Sequence, residues 1–182
     1  MLTAIVIGYA LGSVPFGLLL TRVAGMGDVR AIGSGNIGAT NVLRTGNKKL
    51  ALATLLLDMG KGAAAVALSP PEAGMWAMLA AVAGHVWPVW LKFRGGKGVA
   101  TALGGLLVWA WPLGVIALIC WLVVAAVSRI SSLAALSAFT LLLVVDKGAS
   151  LTLWALVAVL FWTHRGNIAR LYKGTEPKMM RP

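Results

Sequence analysis

The run Leu141-Leu142-Leu143-Val144-Val145-Asp146-Lys147-Gly148-Ala149-Ser150-Leu151-Thr152-Leu153-Trp154 decides the fold. It interrupts an apolar tract, Leu133 to Thr163, that is too long for one comfortable helical span and too short for two full ones. As a single helix it would bury Asp146 and Lys147 near the bilayer centre, at a cost of several kcal/mol. A turn at the far surface avoids that cost. The preceding tract, Val99 to Val127, poses the same choice, and Trp111-Pro112 with Gly114 punctuates it in the same way.

The membrane setting follows from composition. The chain has 182 residues, of which 59% are hydrophobic and 12% charged, outside the range of soluble domains. The other spans are plain. Leu2 to Val23 is broken by Gly12-Ser13-Val14-Pro15-Phe16-Gly17, which fits a kink or a close helix contact. Leu50 to Ser69 ends at Pro70-Pro71-Glu72, and Ala73 to Leu91 is followed by a basic turn. The reading is an all-α integral membrane protein, residues 1–182 as one domain, a compact bundle of seven transmembrane helices of which four are short. No basic region precedes the first apolar stretch and no cleavage site is evident, so that segment reads as a retained helix.

Charge supports seven spans over five. With the N-terminus outside, inner loops and tail carry Arg22, Arg30, Arg44, Lys48, Lys49, Lys92, Arg94, Lys97, Arg129, Arg165, Arg170, Lys173, Lys178 and Arg181, while Lys147 alone lies outside. The C-terminus is then cytoplasmic. The net charge of +11 is explained first as a topology signal and an attraction for anionic headgroups, so it does not imply nucleic acid. The single cysteine, Cys120, lies in an apolar run and excludes both a disulfide framework and a thiolate metal site.

Seven spans bring four polar segments to one face. Gly33-Ser34-Gly35-Asn36-Ile37-Gly38-Ala39-Thr40-Asn41-Val42-Leu43-Arg44 reads as an anion-binding loop: glycines allow close backbone approach, Ser34, Asn36, Thr40 and Asn41 add donors, and Arg44 offers a guanidinium fork. Arg94-Gly95-Gly96-Lys97-Gly98 has the chemistry of a phosphate cradle without Walker A spacing, or else it simply marks topology. Ser128-Arg129-Ile130-Ser131-Ser132 and the tail His164 to Glu176 complete the set.

His164, with Asn167 one helical turn on, is either a base or phosphate donor or only a polar cap. His85, in Gly84-His85-Val86-Trp87-Pro88, lies deeper and reads as a structural histidine with a hydrogen-bond partner. Asp58 and Lys61 share a helix face at i, i+3. They form either a floor for the anion site or an internal ion pair that keeps helices in register. Neither histidine has an acid five positions later, there is no Gly-x-Ser-x-Gly elbow, and carboxylates are too few for a two-metal site. Nothing in the sequence requires a metal or an organic cofactor.

Together Gly12 to Gly17, Gly33 to Arg44, Asp58 to Gly62, Gly84 to Pro88, Gly95 to Thr101, Ser128 to Ser132 and His164 to Lys178 resemble, in order, the bacterial acyl-phosphate:glycerol-3-phosphate acyltransferases of the PlsY type. The resemblance implies transfer of a fatty acyl group from acyl phosphate to the sn-1 hydroxyl of glycerol 3-phosphate, yielding lysophosphatidic acid and inorganic phosphate, at the cytoplasmic face of the inner membrane. It implies membrane lipid and the acyl-phosphate-producing enzyme as partners, with no nucleic acid. By similarity, Ser34, Arg44, Lys97, Ser131, Ser132, His164 and Asn167 match active-site positions.

The residue chemistry suits that reaction. Ser34, His164 and Asn167 read as catalytic. Arg44, Lys97, Gly35, Asn36, Thr40, Asn41, Gly95, Gly96, Ser131 and Ser132 read as substrate-binding, with Asp58, Lys61 and His85 in support. Two other classes compete. An anion transporter needs polar groups on both faces, and the outer one offers little beyond Glu72, Asp146 and Lys147. A basic membrane anchor for nucleic acid or lipid leaves the serine, asparagine and glycine pattern unexplained.

Overall fold

The computed structural model describes residues 1–179, so Arg181 lies outside the described residues. Those residues are all-helical, in ten α-helices: α1 Leu2–Gly12, α2 Phe16–Val23, α3 Ala39–Leu43, α4 Lys48–Ala67, α5 Gly74–Val86, α6 Val99–Trp109, α7 Trp111–Ser128, α8 Ser131–Val145, α9 Leu151–Thr163 and α10 Arg165–Tyr172. The segments Leu2–Val23, Lys48–Ala67, Pro71–Leu91 and Trp111–Ser128 are long and apolar enough to cross a membrane. Three others, α6, α8 and α9, are shorter. The sequence reading of four short helices is corrected here, because Pro112 stands in the first turn of α7 and starts it early enough to run 18 residues.

Local chemistry places each break. Pro15 has no N–H to continue α1, which stops at Gly12 before α2 begins. Asp146 ends α8, and the Ser150 hydroxyl accepts from Leu153 N to start α9. Small residues then let helices touch through their backbones. A Cβ added to Gly8 or Gly12 of α1 would strike the main chain of Ala77 or Ala81 on α5, and one on Gly104 of α6 would strike Met59 on α4. Phe139, Leu142, Leu153, Leu156 and Leu160 fill the core between the shorter helices and α5. These contacts hold the ends of α3, α6, α8 and α9 around one cavity.

Candidate active site

Asn41 organises the first wall. Its side chain is buried; Nδ2 donates to the carbonyls of Val29 at 2.8 Å, Ile32 at 3.1 Å and Asn36 at 2.8 Å. Its Oδ1 accepts from Ser34 N at 3.0 Å and Ser34 Oγ at 3.3 Å. All its polar atoms are committed, so Asn41 shapes the loop instead of offering donors to a ligand. Gly33 sits at φ +55°, where a Cβ would meet Asn41 Oδ1 and the Arg44 stem. The glycine thus lets Arg44 lie across the loop, exposed and lining the cavity. Asn36 Oδ1 accepts from Gly38 N at 2.9 Å, and Thr40 Oγ1 lies 3.2 Å from Ser131 Oγ, which ties α3 to α8.

The second wall is the turn before α6. The sequence reading gave the amides of Gly95 and Gly96, and that of Gly35, to a ligand; the structure spends them internally. Gly95 N donates to Val86 O at 3.0 Å, Gly96 N to His85 O at 2.9 Å and Gly35 N to Ile32 O at 3.0 Å. None of the three lines the cavity. Lys97 does, and its Nζ donates to Asn167 Oδ1 at 2.6 Å. Burial lowers the Lys97 ammonium to about 8, with Arg170 and Arg44 adding to the effect and Glu176 opposing it.

The third wall comes from the last two helices. His164 is 2% exposed, with Nδ1 at 2.7 Å from Leu160 O. A carbonyl only accepts, so Nδ1 carries the proton and Nε2 keeps a free lone pair. Burial, then the Lys97 charge, pushes His164 down to about 4, so the ring is neutral at pH 7. Asn167 Nδ2 donates to Glu176 Oε1, which also accepts from Ser132 Oγ at 2.7 Å; Glu176 Oε2 accepts from Arg170 Nε at 2.7 Å. These bonds hold the Glu176 carboxyl below its usual range against the opposing effect of burial. Glu176 and Arg170 are site residues that the sequence does not single out. The available signal was a solitary acid in a basic tail, nine residues beyond Asn167.

Ser34, Asn36, Thr40, Asn41, Arg44, Lys97, Ser131, Ser132, His164 and Asn167 therefore border one cavity, as do Asp58 and His85 at its inner side. Lys61 does not reach it. The expected i, i+3 pair is present, with Lys61 Nζ at 2.7 Å from Asp58 Oδ1, and His85 has the partner expected of it in Lys61. Among the described residues, the cations Arg44, Lys97 and Arg170 face the polar half with Glu176 to offset them, while the Asp58 carboxylate at the inner side is paired with Lys61, a balance that suits anions. The other half is apolar, lined by Leu55, Met59, Leu103, Leu118, Trp121 and Leu122. Among the described residues no three His, Cys, Asp or Glu side chains gather as a metal site.

Comparison with known proteins places this geometry. The family model described as glycerol-3-phosphate acyltransferase matches residues 2–174. Glycerol-3-phosphate acyltransferases of Rhodospirillum rubrum and Ruegeria pomeroyi are 56% and 58% identical. The alignments cover 94% and 96% of this chain and 88% and 90% of those proteins. The crystal structure of PlsY (YgiH), an integral membrane glycerol 3-phosphate acyltransferase in its glycerol 3-phosphate form, superposes with a TM-score of 0.85 at 34% identity over 97% of this chain and 94% of that one.

Proposed function

This chain belongs to the glycerol-3-phosphate acyltransferase family, and from that premise we propose that its acyl donor is an acyl phosphate and its acceptor the sn-1 hydroxyl of glycerol 3-phosphate. The membrane acyltransferase activity itself follows from the family. The hydroxyl oxygen attacks the acyl carbonyl carbon, the bond from that carbon to the phosphate oxygen breaks, and lysophosphatidic acid and inorganic phosphate leave. The observation that carries the reading is the Lys97 to Asn167 hydrogen bond at the centre of a cationic half-cavity whose other half is apolar.

A mixed anhydride already has a good leaving group, so the protein's work is alignment of two anions and stabilisation of charge. Lys97 and Arg44 hold phosphate, and Ser34 and Asn167 orient the reacting groups. Lys97 already donates to the Asn167 oxygen, which supports a shared role at the phosphate. The Nε2 lone pair of His164 accepts a hydrogen bond from the attacking hydroxyl. With a conjugate acid near 4, His164 is a weak base, so the departing phosphate takes the proton.

The cavity measures about 220 Å³, below the roughly 300–1,000 Å³ of pockets that enclose a drug-sized ligand. A long acyl chain has to leave it sideways. Leu55 and Leu122 border it and are 36% and 52% exposed, so the chain runs out between α4 and α7 into lipid. In the arrangement we propose, α1 with α2, then α4 to α9, make seven crossings with the N-terminus outside. The polar half then faces the cytoplasm of a bacterial inner membrane, where glycerol 3-phosphate arrives.

Purified protein in detergent, supplied with acyl phosphate, acyl coenzyme A or acyl carrier protein as donor and glycerol 3-phosphate as acceptor, tests the donor. Phosphate release with 1-acyl product from acyl phosphate alone is the expected result. Equal or faster transfer from acyl coenzyme A refutes it.

A further inference from the structure

Beneath the cavity lies a polar cluster that the proposed chemistry does not use. Lys61 Nζ stands 2.7 Å from Asp58 Oδ1, 2.7 Å from His85 Nδ1 and 2.9 Å from Val14 O. The ammonium thus hydrogen-bonds to His85 Nδ1 and the Val14 carbonyl, and Asp58 pairs with it by charge, its Oδ1 making no hydrogen bond among the described residues. Asp58, Lys61 and His85 are 2%, 5% and 4% exposed. Such a group is costly inside a membrane protein, and well-packed apolar side chains hold helices together at least as well. Its geometry gives it a more specific task.

An ammonium only donates, so His85 Nδ1 accepts from Lys61 and the ring proton sits on Nε2. That opposite edge abuts Gly96: a methyl added there would land on His85 Nε2. The turn is fastened to the same stretch of α5 by its main chain, through the Gly96 bond to His85 O and the Gly95 bond to Val86 O. Lys97 follows immediately, and its carbonyl accepts from Thr163 Oγ1 at 3.2 Å. The backbone of Lys97 is therefore held between the His85 ring on one side and α9 on the other. The two glycines whose amides are unavailable to a ligand acquire a reason: without side chains, Gly96 settles onto the ring and Gly95 onto the carbonyls of His85 and Val86.

We propose that His85, oriented by Lys61 and Asp58, is a positioning residue that seats the Gly95-Gly96 turn and so fixes the Lys97 ammonium opposite Asn167. This rests on the reading that Lys97 holds glycerol 3-phosphate. The cluster acts through Lys97.

The test uses the full chain in detergent. His85→Asn keeps an acceptor for Lys61 near the place of Nδ1 and removes the ring edge under Gly96. KM for glycerol 3-phosphate should rise roughly tenfold or more, the size of one lost charge-assisted contact, with kcat changed less than about threefold. The alkaline limb of 1/KM, expected near the Lys97 value of about 8, should also move upward, because a loosened Lys97 is better solvated. The other groups facing it, Glu176, Arg170, Arg44 and His164, are unaltered in the variant. An unchanged KM and limb overturn the proposal, whatever happens to kcat.

Gly96→Ala carries the test by itself if His85→Asn does not fold, since it leaves the cluster intact and pushes a methyl onto the ring. It should give the same rise in KM, and a normal KM overturns the proposal. Where both single variants fold, the double variant should cost no more than the larger single effect; multiplied effects mean independent roles and overturn it too. Calorimetric titration of wild type and variants with glycerol 3-phosphate runs in parallel. A wild type that binds glycerol 3-phosphate without acyl transfer then removes the proposed reaction and leaves the positioning role still measurable.

Discussion

Lys97 and Asn167, seventy positions apart in sequence, are joined by a 2.6 Å hydrogen bond from Nζ to Oδ1 that ties the start of α6 to α10. Because Asn167 also donates to Glu176, its amide has one orientation, with oxygen toward the lysine. On the proposed reading, a phosphate entering between Arg44 and Lys97 meets an ammonium whose position this bond already fixes.

Lys97→Ala should therefore act on glycerol 3-phosphate before it acts on turnover. The expected rise in KM is roughly 10- to 100-fold, the loss of a contact to a charged group worth about 1.5–3 kcal/mol. In the wild type the same contact is complete while the amine is protonated and fades as pH passes about 8, so KM should climb above that pH. Steady-state kinetics from pH 6 to 9.5 measure both, and a KM in the variant equal to wild type removes Lys97 from the site.

Asn41→Ala should affect stability first. The substitution strips the carbonyls of Val29, Ile32 and Asn36 of one donor group and frees the Ser34 amide. With a buried unsatisfied group costing about 1–3 kcal/mol, the variant should unfold several degrees lower in a detergent melt. Activity should fall with it as Ser34 and Arg44 lose their register. A melt identical to wild type would return Asn41 to the substrate-binding side chains.

The breaks at Pro15, Pro112 and Asp146 were legible in the sequence because each acts within its own turn: a missing N–H, a fixed φ, a charge in an apolar run. The convergence of the four polar segments was legible too, since alternating spans decide which loops share a face. Hydrogen-bond ownership was not. Gly95, Gly96 and Asn41 look like ligand donors in a list of residues. Their partners, Val86, His85 and Val29, become neighbours only after Trp87-Pro88 turns the chain back and the loop closes around Asn41. Glu176 went unnoticed for a related reason, because one acid among many bases reads as charge balance until Ser132, Asn167 and Arg170 are seen to converge on it.

His164 has a sign to its pH behaviour. Its conjugate acid lies near 4, below the ordinary histidine value of 6.5, so the neutral form needed for Nε2 to accept a hydrogen bond persists down to about pH 4. Any inflection of turnover between about pH 5 and 7 should belong to the substrate phosphates, whose second ionisation lies at about 6, and should survive in His164→Ala. His164→Ala should lower kcat by roughly 10-fold, the loss of one hydrogen bond that orients the attacking hydroxyl, and leave the shape of the profile unchanged. A wild-type inflection near 6.5 that disappears in the variant makes His164 the base after all.

Sidedness is the last consequence, and the native chain is convenient for measuring it. Cys120 is its sole cysteine, so a Cys120→Ala background permits single labels. Arg129, in the turn between α7 and α8, and Lys147, between α8 and α9, stand at opposite ends of α8. If α8 crosses the bilayer despite its 15 residues, Arg129→Cys should react with an impermeant maleimide only after the cells are opened, and Lys147→Cys should react in intact cells. The same side for both would mean that α8 does not span, and an Arg129→Cys that reacts in intact cells would put Ser131 and Ser132 out of reach of substrate on the cytoplasmic side. Opposite sides, with Arg94→Cys labelled together with Arg129→Cys, place all the walls of the cavity where a water-soluble acceptor and a lipid-borne donor meet.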